Sequence, residues 1–315
     1  VIHIDLGEIN ATDAEMLKKS LKKAVKNLSI EYAVEFDKDA EYYDAWSDLI
    51  KSISKKEKVV ILIDEYDKIL SSNIYNPEVE KMRDVLRGFF EVVKAQYELI
   101  RFAFITGVTK FAKVSIFSSM NNLNDISMNE EYATLFGYTD EEIGLYFAEY
   151  IEKGLKATGL SREEYMTKLA EKYDGYRFSP YSEIAVYNPV SIGLFFSKGG
   201  ENFNNYWIDT GGMMLLMNVA KKVRFDISKD AARAIDKENI TTFDILAMAS
   251  NNISSAKYRS LLFQSGYLTI KGVDEDNKNL LLLDFPNEEV ATAYSKNILA
   301  LYGGKTSAST FAELK

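Results

Sequence analysis

VVILIDEYDK, residues 59–68, carries five apolar residues in succession and then turns abruptly to two adjacent carboxylates, Asp64 and Glu65. An unbroken apolar run of this kind suits a strand buried on both faces of a parallel sheet, and such sheets gather their ligands beyond the carboxyl ends of the strands. Asp64 and Glu65 fall at that end. Two readings follow from this stretch. Either the acids belong to a ligand site, or the strand is an ordinary buried one whose terminal acids cap the next helix or face water.

The surrounding pattern bears on the choice. VIHIDL at the start of the sequence is β-branched and reads as a strand. Thr12 to Glu15 has the S/T-x-x-E form of a capping box, which predicts a helix over about 13–28 with Leu17, Leu21, Ala24, Val25 and Leu28 on one face. A second helix is expected over 39–54, the strand over 59–64, a helix near 77–97, and a further strand in RFAFITG, 101–107. Strand and helix in alternation indicate an α/β layer with a parallel sheet. In P-loop NTPases the carboxylate ending such a strand helps hold the Mg²⁺ that bridges the β- and γ-phosphates, and an adjacent Glu can polarise the attacking water. The stretch is therefore read as a Walker B strand, with Asp64 on the metal and Glu65 as the base. Thr106, ending the second strand, and Lys110 just beyond it would bring a hydroxyl and a cation to the same crevice as phosphate sensors. Each also has a plain reading, Thr106 as a strand-end hydroxyl and Lys110 as a solvated loop lysine.

A phosphate cradle of the form G-x-x-x-x-G-K-[ST] does not occur in these 315 residues. Gly303-Gly304-Lys305-Thr306 is the nearest string, but Leu299 stands where the first glycine is needed and a helical pattern precedes it. It is read as part of a flexible tail. Zero cysteines exclude disulfides, thiolate zinc sites and thiol nucleophiles from this sequence, and the single histidine, His3, lies in the first strand. Chemistry here must rest on carboxylates, hydroxyls, Lys and Arg. Acidic residues outnumber basic ones by 47 to 38, giving a net charge of −9, which argues against a surface that coats nucleic acid through bulk electrostatics but leaves room for a local basic face. No apolar stretch approaches membrane-spanning length and no signal segment is visible, so a cytoplasmic protein with no membrane partner is expected.

From about residue 140 the pattern becomes helical, over 140–156 and 161–173, with further helices near 188–198 and 210–222. Between them Asp174-Gly175-Tyr176-Arg177-Phe178 makes a tight turn. Arg177 could reach across a cleft to a nucleotide phosphate or serve in a structural salt bridge. The run Met213 to Met217 is read as core. A helix near 256–264, two β runs around an acidic turn and a helix near 287–302 suggest a winged-helix unit. Lys257 and Arg259 are its only cations over 253–266, which favours an intramolecular or protein contact over DNA.

VVILIDEYDK, the block from Phe102 to Ile143, KYDGYRFS, VYNPVSIGLFF, NYWIDTG and LLFQSGYLTIKG, taken in that order, resemble the bacterial AAA-ATPase-like family of P-loop signal-transduction ATPases. The resemblance implies an ATPase core, a helical lid and a winged-helix-like module, in many members followed by a restriction-like nuclease domain. It implies ATP and Mg²⁺ as ligands, the metal role at Asp64, the catalytic carboxylate at Glu65 and the sensor at Thr106. The family's phosphate loop would lie upstream of Val1 and its nuclease module beyond the last helix, so the chain resembles a middle piece of that architecture. The expected fold is thus α/β: an incomplete P-loop NTPase-like parallel sheet over 1–138, a lid over 139–239, a winged-helix-like domain over 240–302 and a tail over 303–315. The expected function is an ATP-binding regulatory module, with the missing flanking domains or a protein as partner. The alternatives are a degenerate NTPase fold acting as an interaction scaffold, or a DNA-binding module. Because the phosphate-loop strand of such ATPases lies between the sensor strand and a final strand, here sought in 124–128, the sheet should be left open or filled by a foreign segment beside 101–106; direct pairing of 101–106 with 124–128 would contradict this.

Overall fold

The computed structural model describes residues 1–109, 116, 120, 122–207, 216, 219, 234–237, 240 and 253–303, with side chains through 298. Residues 1–124 fall in one compact unit. Its sheet contains three parallel strands, β1 (Ile2–Asp5), β2 (Val59–Asp64) and β3 (Ile100–Ile105), in that spatial order. The intervening chain forms α1 (Ala14–Glu31), α2 (Tyr42–Ser54), α3 (Lys68–Ser72) and α4 (Val79–Ala95). Both crossovers step in the same direction across the sheet, and right-handed connections then place their helices on one face. Helices α1, α2 and α4 pack on one another there, with Trp46 of α2 stacked on Phe89 of α4 at 5.2 Å between ring centroids.

This winding explains a departure from the sequence reading. Val59, Ile61 and Ile63 are buried, but Val60 and Leu62 on the opposite face are only half-buried. The register continues that face through His3 beside Leu62, Phe102 beside Val60 and Phe104 beside Leu62; His3 is exposed and Phe102 is 53% exposed. The strand expected to be buried on both faces is therefore fully buried on one, because its crossovers deliver helices to one side only.

β3 pairs with β2 alone among the described residues and is the last strand of the sheet that they form. Asn124–Met128, expected to hold a final strand, is irregular chain ending in a turn and does not pair with β3. The strand expectation there is corrected, and the direct pairing that would have contradicted an open sheet is absent. A smaller correction concerns α1. Its cap is Asp13, whose carboxylate accepts the Met16 amide at 2.7 Å, while the Thr12 hydroxyl turns to Met16 Sδ, so no box forms between Thr12 and Glu15.

The described residues from 125 to 240 and from 254 to 303 fall in a second compact unit. It begins with α5 (Asp140–Tyr146), α6 (Ala148–Thr158), α7 (Arg162–Tyr173) and α8 (Pro189–Ser197). True capping boxes start α5, between Thr139 and Glu142, and α7, between Ser161 and Glu164. The single helix expected over 140–156 is broken at Phe147, whose ring leaves the helical path to stack on Phe196 at 4.9 Å. Tyr165, Tyr173, Tyr187 and Phe195 fill the core of this helical part.

The rest of the unit is β4 (Ala234–Asp236), α9 (Ser255–Gln264), β5 (Thr269–Val273), β6 (Leu280–Asp284) and α10 (Glu288–Gly303). The strands make an antiparallel sheet in the order β4-β6-β5. Asp274 closes the β5–β6 turn by accepting the amides of Asp276 at 3.0 Å and Asn277 at 2.8 Å. Glu289, fully buried in α10, accepts hydrogen bonds from the Ser191 hydroxyl at 2.7 Å, the Trp207 amide at 2.8 Å and the Tyr206 amide, and so ties α10 to α8 and to the chain at 206–207. Of the helix expected near 210–222 only Leu216 and Val219, both buried and helical, are described; the rest of it, with the other residues of the Met213–Met217 run, and the tail with Gly304, Lys305 and Thr306 lie outside the described residues. No helix among the described residues is long and apolar enough to cross a membrane.

Candidate functional site at the ends of β2 and β3

Parallel pairing in register, with Ile63 beside Ile105, brings the ends of β2 and β3 together. Their pairing extends past the strands: the Thr106 amide donates to the Ile63 carbonyl at 2.9 Å, and the Tyr66 amide donates to the Thr106 carbonyl at 3.0 Å. Asp64 and Thr106 are thus brought face to face. The Thr106 hydroxyl donates to Asp64 Oδ1, and the Glu65 amide donates to the same oxygen at 2.8 Å. Asp64 Oδ2 has no hydrogen-bond partner among the described residues, and the side chain is exposed. One oxygen is fixed and the other is presented to solvent.

Glu65 sits between these bonds in the left-handed region, at φ 49°. A non-glycine residue there is strained, and such strain persists where the surroundings over-determine it. Its carboxylate lies against Gly7 in the turn after β1. A Cβ at position 7 would stand 2.5 Å from Glu65 Oε2 and 2.8 Å from Asp5 Oδ1, so a side chain there would displace Glu65. Asp5 is in register with Asp64 and accepts the Gly7 amide at 2.7 Å. Asp5, Asp64 and Glu65 therefore converge at the carboxyl end of the sheet.

Asp67 explains how the loop after β3 is held. It is 3% exposed, and its carboxylate accepts the Val108 amide at 3.0 Å, the Thr109 amide at 2.7 Å and the Thr109 hydroxyl at 2.5 Å. The Tyr66 hydroxyl adds a bond to the Thr109 carbonyl at 2.6 Å. Gly107 lets the loop approach, since a Cβ there would lie 2.5 Å from both Asp67 Oδ1 and the Tyr66 ring. DEYD thus grips TGVT side chain to backbone, and Asp67 fixes the loop that presents Thr106.

The other sequence candidates fare differently. Lys110 lies outside the described residues. Arg177 is held within its own unit: Nε and Nη2 donate to the Ser182 carbonyl at 3.0 and 2.6 Å, and Nη1 donates to the Lys271 carbonyl at 2.9 Å. Its guanidinium braces β5 through backbone oxygens instead of pairing with a carboxylate. Nearby, burial pushes the Asp174 carboxyl up to about 6, while the Gly175 amide and Lys271 pull the other way. Asp5, Gly7 and Asp67 were not singled out in the sequence. The third acid of DEYD is the one signal that pointed to Asp67, and nothing in the pattern distinguishes a buried acid from a solvated one.

Among the described residues no group of three or more His, Asp or Glu is arranged as a ready metal cage. That arrangement suits a cation held by one carboxylate and water together with ligand phosphates, as Mg²⁺ commonly is, better than one caged by protein alone.

Residues 1–117 match the family described as predicted AAA-ATPase. A relative from Azotobacter chroococcum mcd 1, described as an uncharacterized protein in the vnfD 5′ region, is 34% identical over 248 residues, 78% of this chain and 44% of the relative. The match thus spans less than half of the relative's length. No solved structure matches the chain. Residues 1–117, with the strand-end acids they contain, are therefore similar to the predicted AAA-ATPase family that the sequence resembles.

Proposed function

We propose that the ends of β2 and β3 form the metal and sensor side of an ATP site, and that the chain is an ATP-binding regulatory module. The observation that carries this reading is Asp64, with Oδ1 held by the Thr106 hydroxyl and the Glu65 amide and Oδ2 left outward. Asp64 Oδ2 would hold Mg²⁺ directly or through water, and the bound cation would neutralise charge between the β- and γ-phosphates. Thr106, fixed by Asp67, would sense the γ-phosphate from its hydroxyl position. Glu65 would accept the proton of the attacking water, its carboxylate being aimed by the left-handed backbone and by the space that Gly7 leaves.

Among the described residues β3 pairs on one side only, which in this reading leaves room for a further strand, one bearing the phosphate loop that the described residues do not supply. The helices α5 to α8 would then act as the lid and β4-α9-β5-β6 as a winged-helix-like module whose arrangement responds to nucleotide. A lid role for Arg177 would require it to exchange its carbonyl hydrogen bonds for a phosphate. The half-exposed apolar face of Val60, Leu62 and Phe102 favours a second reading, a degenerate NTPase fold that acts as a protein-interaction scaffold.

The two readings separate by experiment. In a polypeptide that joins a phosphate-binding loop to these residues, Glu65→Gln should retain bound ATP and Asp64→Asn should weaken Mg²⁺-dependent binding. The 315-residue chain alone should show no steady ATP turnover, because groups that position the triphosphate are needed as well as carboxylates. Wild-type turnover in both variants would remove the site assignment, and failure of that polypeptide to bind ATP at all would leave the scaffold.

A further inference from the structure

In a chain of net charge −9, one helix face is strongly basic. Lys19, Lys22, Lys23 and Lys26 of α1 line a shallow groove of about 350 Å³ together with Phe36 and Lys38 from the following loop. The helical lysines are spaced three and four residues apart, so they stand side by side at about 5–6 Å intervals, and like charges so placed disfavour the helix. Among the described residues none of these five lysines forms an ion pair, although Lys18 on the same helix pairs with Glu15 at 2.6 Å. The loop also contains Glu35, Asp37 and Asp39, and one Asp37 carboxylate oxygen accepts the Asp39 amide at 2.8 Å. Lys22 Nζ donates to the Lys38 carbonyl at 2.6 Å and so holds the loop, with Phe36, against the helix.

We propose that this groove binds single-stranded nucleic acid, the lysines following its phosphates and Phe36 offering a ring to one base. A row of point charges at this spacing is on the scale of neighbouring phosphates along an unstacked strand. An aromatic ring among the charges matches the combination by which single strands are held without sequence preference. A duplex keeps its bases stacked away from such a ring, and the acidic side chains of a peptide bring no aromatic ring to stack on it. This surface lies on α1, far along the sequence from the acidic turn of the β5–β6 hairpin.

The test is fluorescence anisotropy of a fluorescein-labelled single-stranded DNA 12-mer with the full chain. Four to five phosphate contacts predict that affinity falls roughly fifty- to a hundredfold between 50 and 200 mM salt. Replacing Lys19, Lys22, Lys23 and Lys26 with Gln should cut low-salt affinity at least about tenfold and flatten the salt slope by nearly 3. Phe36→Ala should weaken binding at least about fivefold with the salt slope unchanged. Circular dichroism melts of each variant verify that the fold is retained, and the single change Lys23→Gln, on an exposed side chain, gives a milder loss if the fourfold variant does not fold. Absence of binding at 50 mM salt would overturn the proposal, as would binding indifferent to the lysine changes. Equal affinity for inorganic polyphosphate or polyglutamate, unaffected by Phe36→Ala, would overturn the assignment to nucleic acid.

Discussion

Asp67 in the first unit and Glu289 in the second are both buried acids that accept three hydrogen bonds from chain distant in sequence. Around Glu289 every bond is structural: α8, α10 and the 206–207 chain are fastened and no carboxylate oxygen is left over. Around Asp67 the same kind of grip holds a loop whose first residue, Thr106, turns its hydroxyl to an exposed carboxylate with a free oxygen. One buried acid closes a core, and the other holds the loop beside the candidate site. Burial and bond number do not separate these roles; what stands beside the grip does.

The comparison can be broken most forcefully at Glu289. Glu289→Ala strands three donors and opens a cavity, so the second unit should lose about 3–5 kcal/mol, read as faster amide hydrogen exchange in α8 and α10 with the first unit unchanged. Glu289→Gln should recover most of the loss. The oxygen of Gln can still serve the two amides, and its NH₂ can face the Ser191 hydroxyl, which is able to accept. A similar loss in both variants would show that charge, and not hydrogen-bond matching, matters there.

Asp67→Ala should cost about 2–4 kcal/mol and release exchange protection at Val108 and Thr109. Asp67→Asn should not rescue it, because each carboxylate oxygen serves a backbone amide and either orientation of Asn sets an NH₂ against an N–H. Full rescue by Asn would contradict the described grip.

A pH series sharpens the contrast within the second unit. The Asp174 carboxyl, held at about 6 by burial against an ordinary value of 3.8, binds its proton more tightly folded than unfolded. Its cost to stability is therefore present above pH 6 and is relieved as pH falls towards 4. Asp140 adds to the upward push and Lys271 opposes it. Allowing for solvent screening, the effect is on the order of 1 kcal/mol. Asp174→Asn should flatten the stability profile over that window, measured by urea midpoints, and an unchanged profile would place the proton elsewhere.

The smallest stability effect belongs to Asp64. Asp64→Asn keeps an oxygen for the Thr106 hydroxyl and the Glu65 amide, so stability should change by less than about 0.5 kcal/mol. A large loss would make Asp64 a structural acid like Glu289.

Much of this arrangement was legible in the sequence because it depends on local pattern. The apolar run gives the 59–64 strand its observed bounds, the alternation of elements gives the parallel sheet, and Asp64 and Thr106 meet because Asp64 ends β2 and Thr106 directly follows β3. Contacts set by tertiary geometry were not legible. Asp67 reads like any helix-starting acid until Gly107 brings the loop against it, and Gly7 has no visible purpose until Glu65 lies over it. The half-exposed sheet face also escaped a reading of β2 alone, since burial on the second face depends on the direction of winding. At 124–128 a family expectation supplied a strand that the local chain does not form.

The central claim is that Asp64 presents a free oxygen to a divalent cation at the joined ends of β2 and β3. Mn²⁺ titrated into the isotopically labelled chain, with and without ATP, tests it by paramagnetic broadening of amide resonances. The account predicts broadening centred on Asp64, Glu65 and Thr106, strengthened by ATP and lost in Asp64→Asn. Broadening that survives Asp64→Asn, or that centres on other acids, would contradict it.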